Sequence, residues 1–136
     1  MNYKNGINYK GIWNNNLKNG KGFLKNQNQD EFHGFWENDD FIEGEVKYKN
    51  GNVFKGNLKV HFGNLKYKNG DEYNGNYIND KKEGKGKMKY NNGDYYEGDW
   101  INDKKEGKGE YKYNNGDYYE GDWIKDKKEG KGKMKI

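Results

Sequence analysis

The chain contains no Cys, Ser or Thr, so the side chains that ordinarily attack acyl carbon or hold a thiolate-bound metal are absent. Lys is abundant, yet nothing around any one lysine singles it out for Schiff-base chemistry. The two histidines, His33 and His61, stand 28 residues apart with no metal-ligand spacing around them. Carboxylate pairs such as Asp39 with Asp40, or Glu97 with Asp99, have the composition of an acid–base couple, but their pattern implies an exposed face and no pocket. The expectation is a protein that is not an enzyme and uses no cofactor and no metal.

Recognition is better supplied than catalysis. Lysines recur as Lys81, Lys82 and Lys85, then Lys104, Lys105 and Lys108, then Lys127, Lys128 and Lys131. Stacked in register they would form one rim able to meet the headgroups of acidic phospholipids. Local acids oppose that use: residues 71–136 hold 15 Lys against 15 Asp plus Glu, and the net charge of +4 arises in residues 1–70. A lysine rim also protects strand edges from aggregation. Aromatic residues recur on the same spacing, as Tyr73, Tyr77, Tyr96, Trp100, Tyr111, Tyr119 and Trp123. With no Arg in the chain, base stacking on nucleic acid is not expected. Core packing accounts for the rings first, and a partner protein for whatever aromatic surface stays open.

What positions these groups is a repeat. Only 29% of the 136 residues are hydrophobic and 35% are charged, and the mean hydropathy is −1.61, close to disordered composition. An aromatic share of 17% argues instead for a packed structure. The glycine of YEGDW and its equivalents falls at Gly11, Gly34, Gly56, Gly75, Gly98 and Gly121, in steps of 23, 22, 19, 23 and 23 residues. A second glycine follows at Gly22, Gly44, Gly63, Gly86, Gly109 and Gly132. Six units result, near 7–28, 29–51, 52–70, 71–93, 94–116 and 117–136, in one domain. Met1, Tyr3 and Gly6 match Met88, Tyr90 and Gly93, the tail of a preceding strand.

Within a unit the period is two. Tyr96, Gly98 and Trp100 share one face of a strand and Tyr95, Glu97 and Asp99 the other. NDKKEG supplies polar turn residues, so each unit reads as a β-hairpin. The expected register sets Trp100 opposite Gly109, Gly98 opposite Tyr111 and Tyr96 opposite Tyr113, with each glycine beneath a large ring. It also sets Glu97 against Lys112 and Asp122 against Lys133, with Asp99 against Glu110 as a like-charge exception. Between hairpins, a two-residue turn at Asn114-Asn115-Gly116 would send Tyr119 and Trp123 to the wrong face, so a type I turn with Gly116 left-handed in a G1 bulge is expected. The result is an all-β, elongated, single-layer antiparallel meander of six hairpins, with an aromatic groove left accessible. Its exposed terminal strands offer a route to homo-oligomers.

The phrase Tyr96-x-Gly98-x-Trp100, followed by Gly107, Gly109 and Gly116 at a 23-residue period, closely resembles the MORN repeat (membrane occupation and recognition nexus). The likeness covers the whole chain and is strongest over 71–136. Unit two carries Ile42 in place of the first glycine of the GxG pair. Unit three has Leu58 at the tryptophan position, His61 at that glycine and four residues fewer, so an irregular hairpin is expected near 58–63. The resemblance implies MORN-type hairpins in an interaction module of cytoskeletal, ciliary or membrane-associated proteins. Choline- or glucan-binding wall repeats use similar residues but belong to exported chains, and MNYKNGINYKG has no apolar run of a signal peptide. The reading is therefore a cytoplasmic scaffold, at the membrane periphery or cytoskeleton, that binds a partner protein through Tyr73, Tyr77, Tyr96, Trp100, Tyr111, Tyr119 and Trp123. The alternative is peripheral attachment to acidic phospholipids through the lysine rim.

Overall fold

The computed structural model describes residues 8–135, and Met1, Tyr3 and Gly6 lie outside them. Six hairpins follow one another: β1 (Asn8–Asn14) with β2 (Leu17–Lys25), β3 (Glu31–Glu37) with β4 (Asp40–Lys47), and β5 (Val53–Asn57) with β6 (Phe62–Lys66). Then come β7 (Glu72–Ile78) with β8 (Lys81–Lys89), β9 (Tyr95–Ile101) with β10 (Lys104–Lys112), and β11 (Tyr118–Ile124) with β12 (Lys127–Lys135). All twelve form one antiparallel sheet in chain order, and the described residues contain no helix. The expected meander is the observed fold.

The linkers follow the expected chemistry. The Gly116 N–H donates to the Tyr113 carbonyl at 3.0 Å and the Tyr113 N–H to the Asp117 carbonyl at 2.8 Å, with Gly116 at φ +97°. This is a type I turn closed by a left-handed glycine bulge. The same pair of bonds recurs around Gly51, Gly70 and Gly93.

The register inside the hairpins differs from the expectation. Gly98 faces Gly109, Tyr96 faces Tyr111, and Trp100 faces Lys105. Two features move the chain. The tip is a tight turn of Asn102 and Asp103 alone, both left-handed at φ +49° and +68°, as in a type I′ turn, so Lys104 already belongs to β10. Between the pairs Trp100–Lys105 and Gly98–Gly109, residues 106–108 then oppose the single Asp99, and Gly107 takes the bulge at φ +73°. Consequently Glu97 faces Glu110, Glu120 faces Lys133 and Asp122 faces Glu129, replacing the expected charge pairs.

With this register the anchor glycines align across the whole sheet, from Gly11–Gly22 to Gly98–Gly109–Gly121. Glycine does sit beneath a ring, though the ring is the one two residues before the anchor glycine, a tyrosine in units one, four, five and six and Phe54 in unit three. A Cβ on Gly109 would lie 2.1 Å from the Tyr96 Oη, and one on Gly98 would lie 2.5 Å from the Gly109 Cα. The Tyr96 hydroxyl donates to the Asp99 carbonyl at 3.0 Å, and Tyr73 repeats the bond to Asn76 at 2.6 Å.

Unit three is the irregular hairpin. Its strands have five residues each, Leu58 to His61 form the turn, and His61 keeps the left-handed backbone of the missing glycine at φ +54°. Unit two shortens its bulge to the one extra residue, Ile42.

Candidate interaction surface

The aromatic face closes upon itself, so the expected open aromatic groove is absent among the described residues. Tyr73 and Tyr96 are fully buried, Trp100 and Trp123 are 3% exposed, Tyr77 and Tyr119 are buried beside them, and Tyr111 packs partly buried against the cluster. Trp100 and Trp123 each pack edge-on against the tyrosine of their own repeat and of the one before: Tyr96 meets Trp100 and Trp123 with centroids 5.2 Å apart in both cases, Tyr73 meets Trp100 at 5.6 Å and Tyr119 meets Trp123 at 5.5 Å. The indole N–H groups of Trp100 and Trp123 donate to the carbonyls of Gly86 and Gly109, both at 3.1 Å. Burial pushes the Tyr73, Tyr77 and Tyr96 phenols well above their ordinary range, and Tyr90 up to about 12.

Lysines supply the outer cover of this single layer, which is why they do not form one rim. The Lys105 Nζ lies 5.5 Å from the Trp123 ring and 5.8 Å from Trp100, and pairs with Asp126 at 3.5 Å. Lys82 sits 5.2 Å from the Trp100 ring, pairs with Asp103 at 3.4 Å and donates to the Tyr67 hydroxyl at 3.1 Å. Lys128 bonds to the Tyr113 hydroxyl over the same face. Their stems shield rings while their heads meet carboxylates or phenols at the edge. Burial lowers the Lys105 ammonium below its usual range, against the pull of Asp126. Lys85 and Lys108 stand on the opposite face, paired with Asp99 and Asp122, and the latter contact raises Lys108. Lys81, Lys104 and Lys127 are exposed at the tips, as are Lys125 and Lys128 at the last one, while the Lys131 side chain lies outside the described set.

Those tips carry a second exposed residue that the sequence pattern did not single out. Ile78, Ile101 and Ile124 face Lys81, Lys104 and Lys127 across their turns, and are 37%, 53% and 51% exposed.

Both edges of the sheet are stitched from repeat to repeat by carboxylates whose role the sequence likewise left unmarked. Asp103 accepts the Lys82 N–H at 2.7 Å and Asp126 the Lys105 N–H at 2.8 Å. Asp39 does the same for Lys18 at 2.7 Å, and the bond holds its carboxyl below the usual range. At the other edge, Asp71 and Asp94 accept the N–H groups of Asn91 and Asn114, both at 2.8 Å. Glu83 and Glu106 cap the next tips through the Asn102 and Lys125 N–H groups. Asp39 is thus a cap. His33 stacks on Phe23 at 4.6 Å on the polar face, and no group of ligating side chains fit for a metal occurs among the described residues.

The polar face holds a groove of about 930 Å³ running across β6 to β12. Its floor is the glycine row from Gly75 to Gly132. On one side stand Phe62, Lys85 and Lys108, and on the other Asn74, Lys87, Glu97, Glu110, Glu120 and Lys133. The signal for it is the alignment of glycines across strands, which the register expected from the sequence does not produce.

Comparison with protein families matches the MORN repeat at residues 9–31, 73–95, 96–118 and 119–135, well over half of the chain. No curated protein matches it. The four matched segments begin at Tyr9, Tyr73, Tyr96 and Tyr119, the tyrosines that cover the glycine row of units one, four, five and six. With the hairpin meander and the ring-over-glycine packing in place, the chain belongs to the MORN-repeat family, whose repeats mediate protein or membrane interactions.

Proposed function

We propose that this protein is a non-enzymatic scaffold that binds a segment of a partner protein along the groove over its glycine row. The observation that carries the reading is the groove itself: it is long and open, and lined by side chains that the fold does not need for capping or core packing. Tyr96, Trp100, Tyr119 and Trp123 serve this surface from beneath, as the packing that holds the floor in place. The test is a pull-down from extract of the source cells with three baits: the natural protein, a groove variant with Phe62→Gln and Glu110→Lys, and a tip variant with Lys81, Lys104 and Lys127 changed to Gln. A partner retained by the tip variant and lost by the groove variant is the expected result. Equal capture by all three contradicts the groove reading.

One observation favours a second reading, attachment to an anionic membrane. The tips of the last three repeats alternate exposed Ile and exposed Lys, which suits a surface that sinks aliphatic groups between headgroups. Sedimentation with vesicles of phosphatidylserine and phosphatidylcholine checks it: binding that fades with salt and with the tip changes belongs to this reading.

A further inference from the structure

Resting on the groove reading above, we infer that the bound segment is amphipathic, with Lys or Arg over Glu97, Glu110 and Glu120 and an apolar side chain against Phe62. In β9, β10 and β11 those three glutamates stand directly opposite one another, Glu110 facing Glu97 on one side and Glu120 on the other. Like charges placed across neighbouring strands are unfavourable. The fold offers little relief. Glu97 has Lys87 only at 4.0 Å, and Lys133, though opposite Glu120, does not reach it. Among the described residues no lysine Nζ pairs within 4.0 Å with a carboxylate oxygen of Glu110 or Glu120, and Lys112 acts on Glu110 only from farther off.

Across the floor, Lys85 and Lys108 are already neutralised by Asp99 and Asp122. The middle of the groove is therefore negative along one wall, in a chain whose net charge is +4. An ammonium or guanidinium laid over the glycine floor reaches two of the three carboxylates at once, which turns a repulsive row into a binding row. Asp94, Asp99, Asp103, Glu106, Asp122 and Asp126 of the repeated phrase cap turns, pair with lysines or stitch repeats, whereas among the described residues the carboxylates of Glu97, Glu110 and Glu120 make no such bond beyond the long Glu97–Lys87 contact.

Phe62 marks the other end. It precedes Gly63 as Lys85 precedes Gly86, so an aromatic ring stands where later repeats present a lysine, and it is 47% exposed at the groove's end. From β6 to β10 is four strand steps, roughly 19 Å at about 4.8 Å each. The apolar and basic groups of the segment are then about six residues apart if it is extended, or about thirteen if helical.

The experiment is selection of a displayed library of random peptides roughly 20 residues long, enough to cross the groove in either conformation, on the full immobilised chain. Selected peptides are then measured against Glu97→Gln/Glu110→Gln/Glu120→Gln, and separately against Phe62→Gln and Asn74→Trp, which alter or fill the groove without touching a glutamate. Circular dichroism confirms that each variant is folded. The expected result is enrichment of peptides pairing a Lys/Arg run with an apolar anchor, with affinity falling about tenfold or more on the triple glutamine variant and weakening with salt. Peptides without basic residues, or peptides that bind the triple variant equally well yet fail on Phe62→Gln or Asn74→Trp, overturn this inference and leave the groove reading standing. Binding indifferent to every groove change, or no enrichment at all, overturns both.

Discussion

Gly109→Ala tests the account of the glycine row most directly. A Cβ at this position would stand 2.1 Å from the Tyr96 Oη and 2.3 Å from its Cε2, and Tyr96 is a fully buried side chain. The methyl group cannot coexist with the ring, and the ring has no second seat, because Trp100 and Trp123 close on it edge-on. Overpacking alone costs about 1–3 kcal/mol. Displacing the phenol also gives up its bond to the Asp99 carbonyl, worth about 1 kcal/mol. A loss of about 3 kcal/mol is expected, read from the urea midpoint of tryptophan fluorescence at unchanged slope. Gly116→Ala is the control. It meets nothing within 4 Å but has φ +97°, so only conformational strain of about 1 kcal/mol applies. In a Tyr96→Ala background the cost of Gly109→Ala should shrink by about 2 kcal/mol, since the collision partner is gone. If Gly109→Ala costs the same with and without the tyrosine ring, or less than Gly116→Ala, the ring-over-glycine argument is wrong.

Trp100→Phe removes the donor to the Gly86 carbonyl and part of the cover over Tyr73 and Tyr96, and should lower stability by about 1–2 kcal/mol in the same melt. Tyr73, Tyr77, Tyr90, Tyr96 and Tyr111 are held above the ordinary phenol value of 10.0 in the folded state. The unfolded chain releases those protons first, so their contribution is whole below pH 10.0 and is lost as pH rises through the folded values, with Tyr90 at about 12 the first of these five to be reached. Phenolate absorbance should therefore lag behind that of a free tyrosine and then appear together with loss of the β circular dichroism. Hydrogen exchange should be faster at Leu58 to Phe62, where the strands have five residues, than at Trp100 to Tyr111, with uniform protection as the contrary result.

The strand pattern, the order of hairpins and the linker geometry were legible because each rests on local parity: period two in DYYEGDWI, and a three-residue Asn-Asn-Gly link that preserves it. The register within a hairpin was not, because two changes act together. The Asn102-Asp103 tip lacks the glycine that ordinarily signals a two-residue turn, and Gly107 reads as loop when it is a bulge inside β10. That slip hid the glycine-on-glycine row, and with it the groove. The aromatic residues were recognisable, but their accessibility was not, because lysine reads as charge alone. Lys82 and Lys105 are also long aliphatic covers, and the sequence does not say which lysine of a KK pair turns inward until the tip is placed.

An array of identical units has a difficulty as a receptor: it offers the same chemistry at every repeat and gives a ligand no single place to settle. Most letters of the repeated phrase here are occupied by structure. Tyr covers glycine, Trp closes the joint, Lys covers Trp, Asp and Glu cap the neighbouring turns, and the first glycine forms the bulge. Departures from the phrase are what can distinguish one position from the next, and several stand along the groove. Lys87, Glu110 and Lys133 occupy the same place in three successive units; Asn74 precedes two glutamates at the same place; and Phe62 interrupts the lysines. Register for a bound segment would come from these side chains, so a partner's specificity should be altered by changing them, while changes to the repeated letters that cover, cap or close the fold should act first on stability.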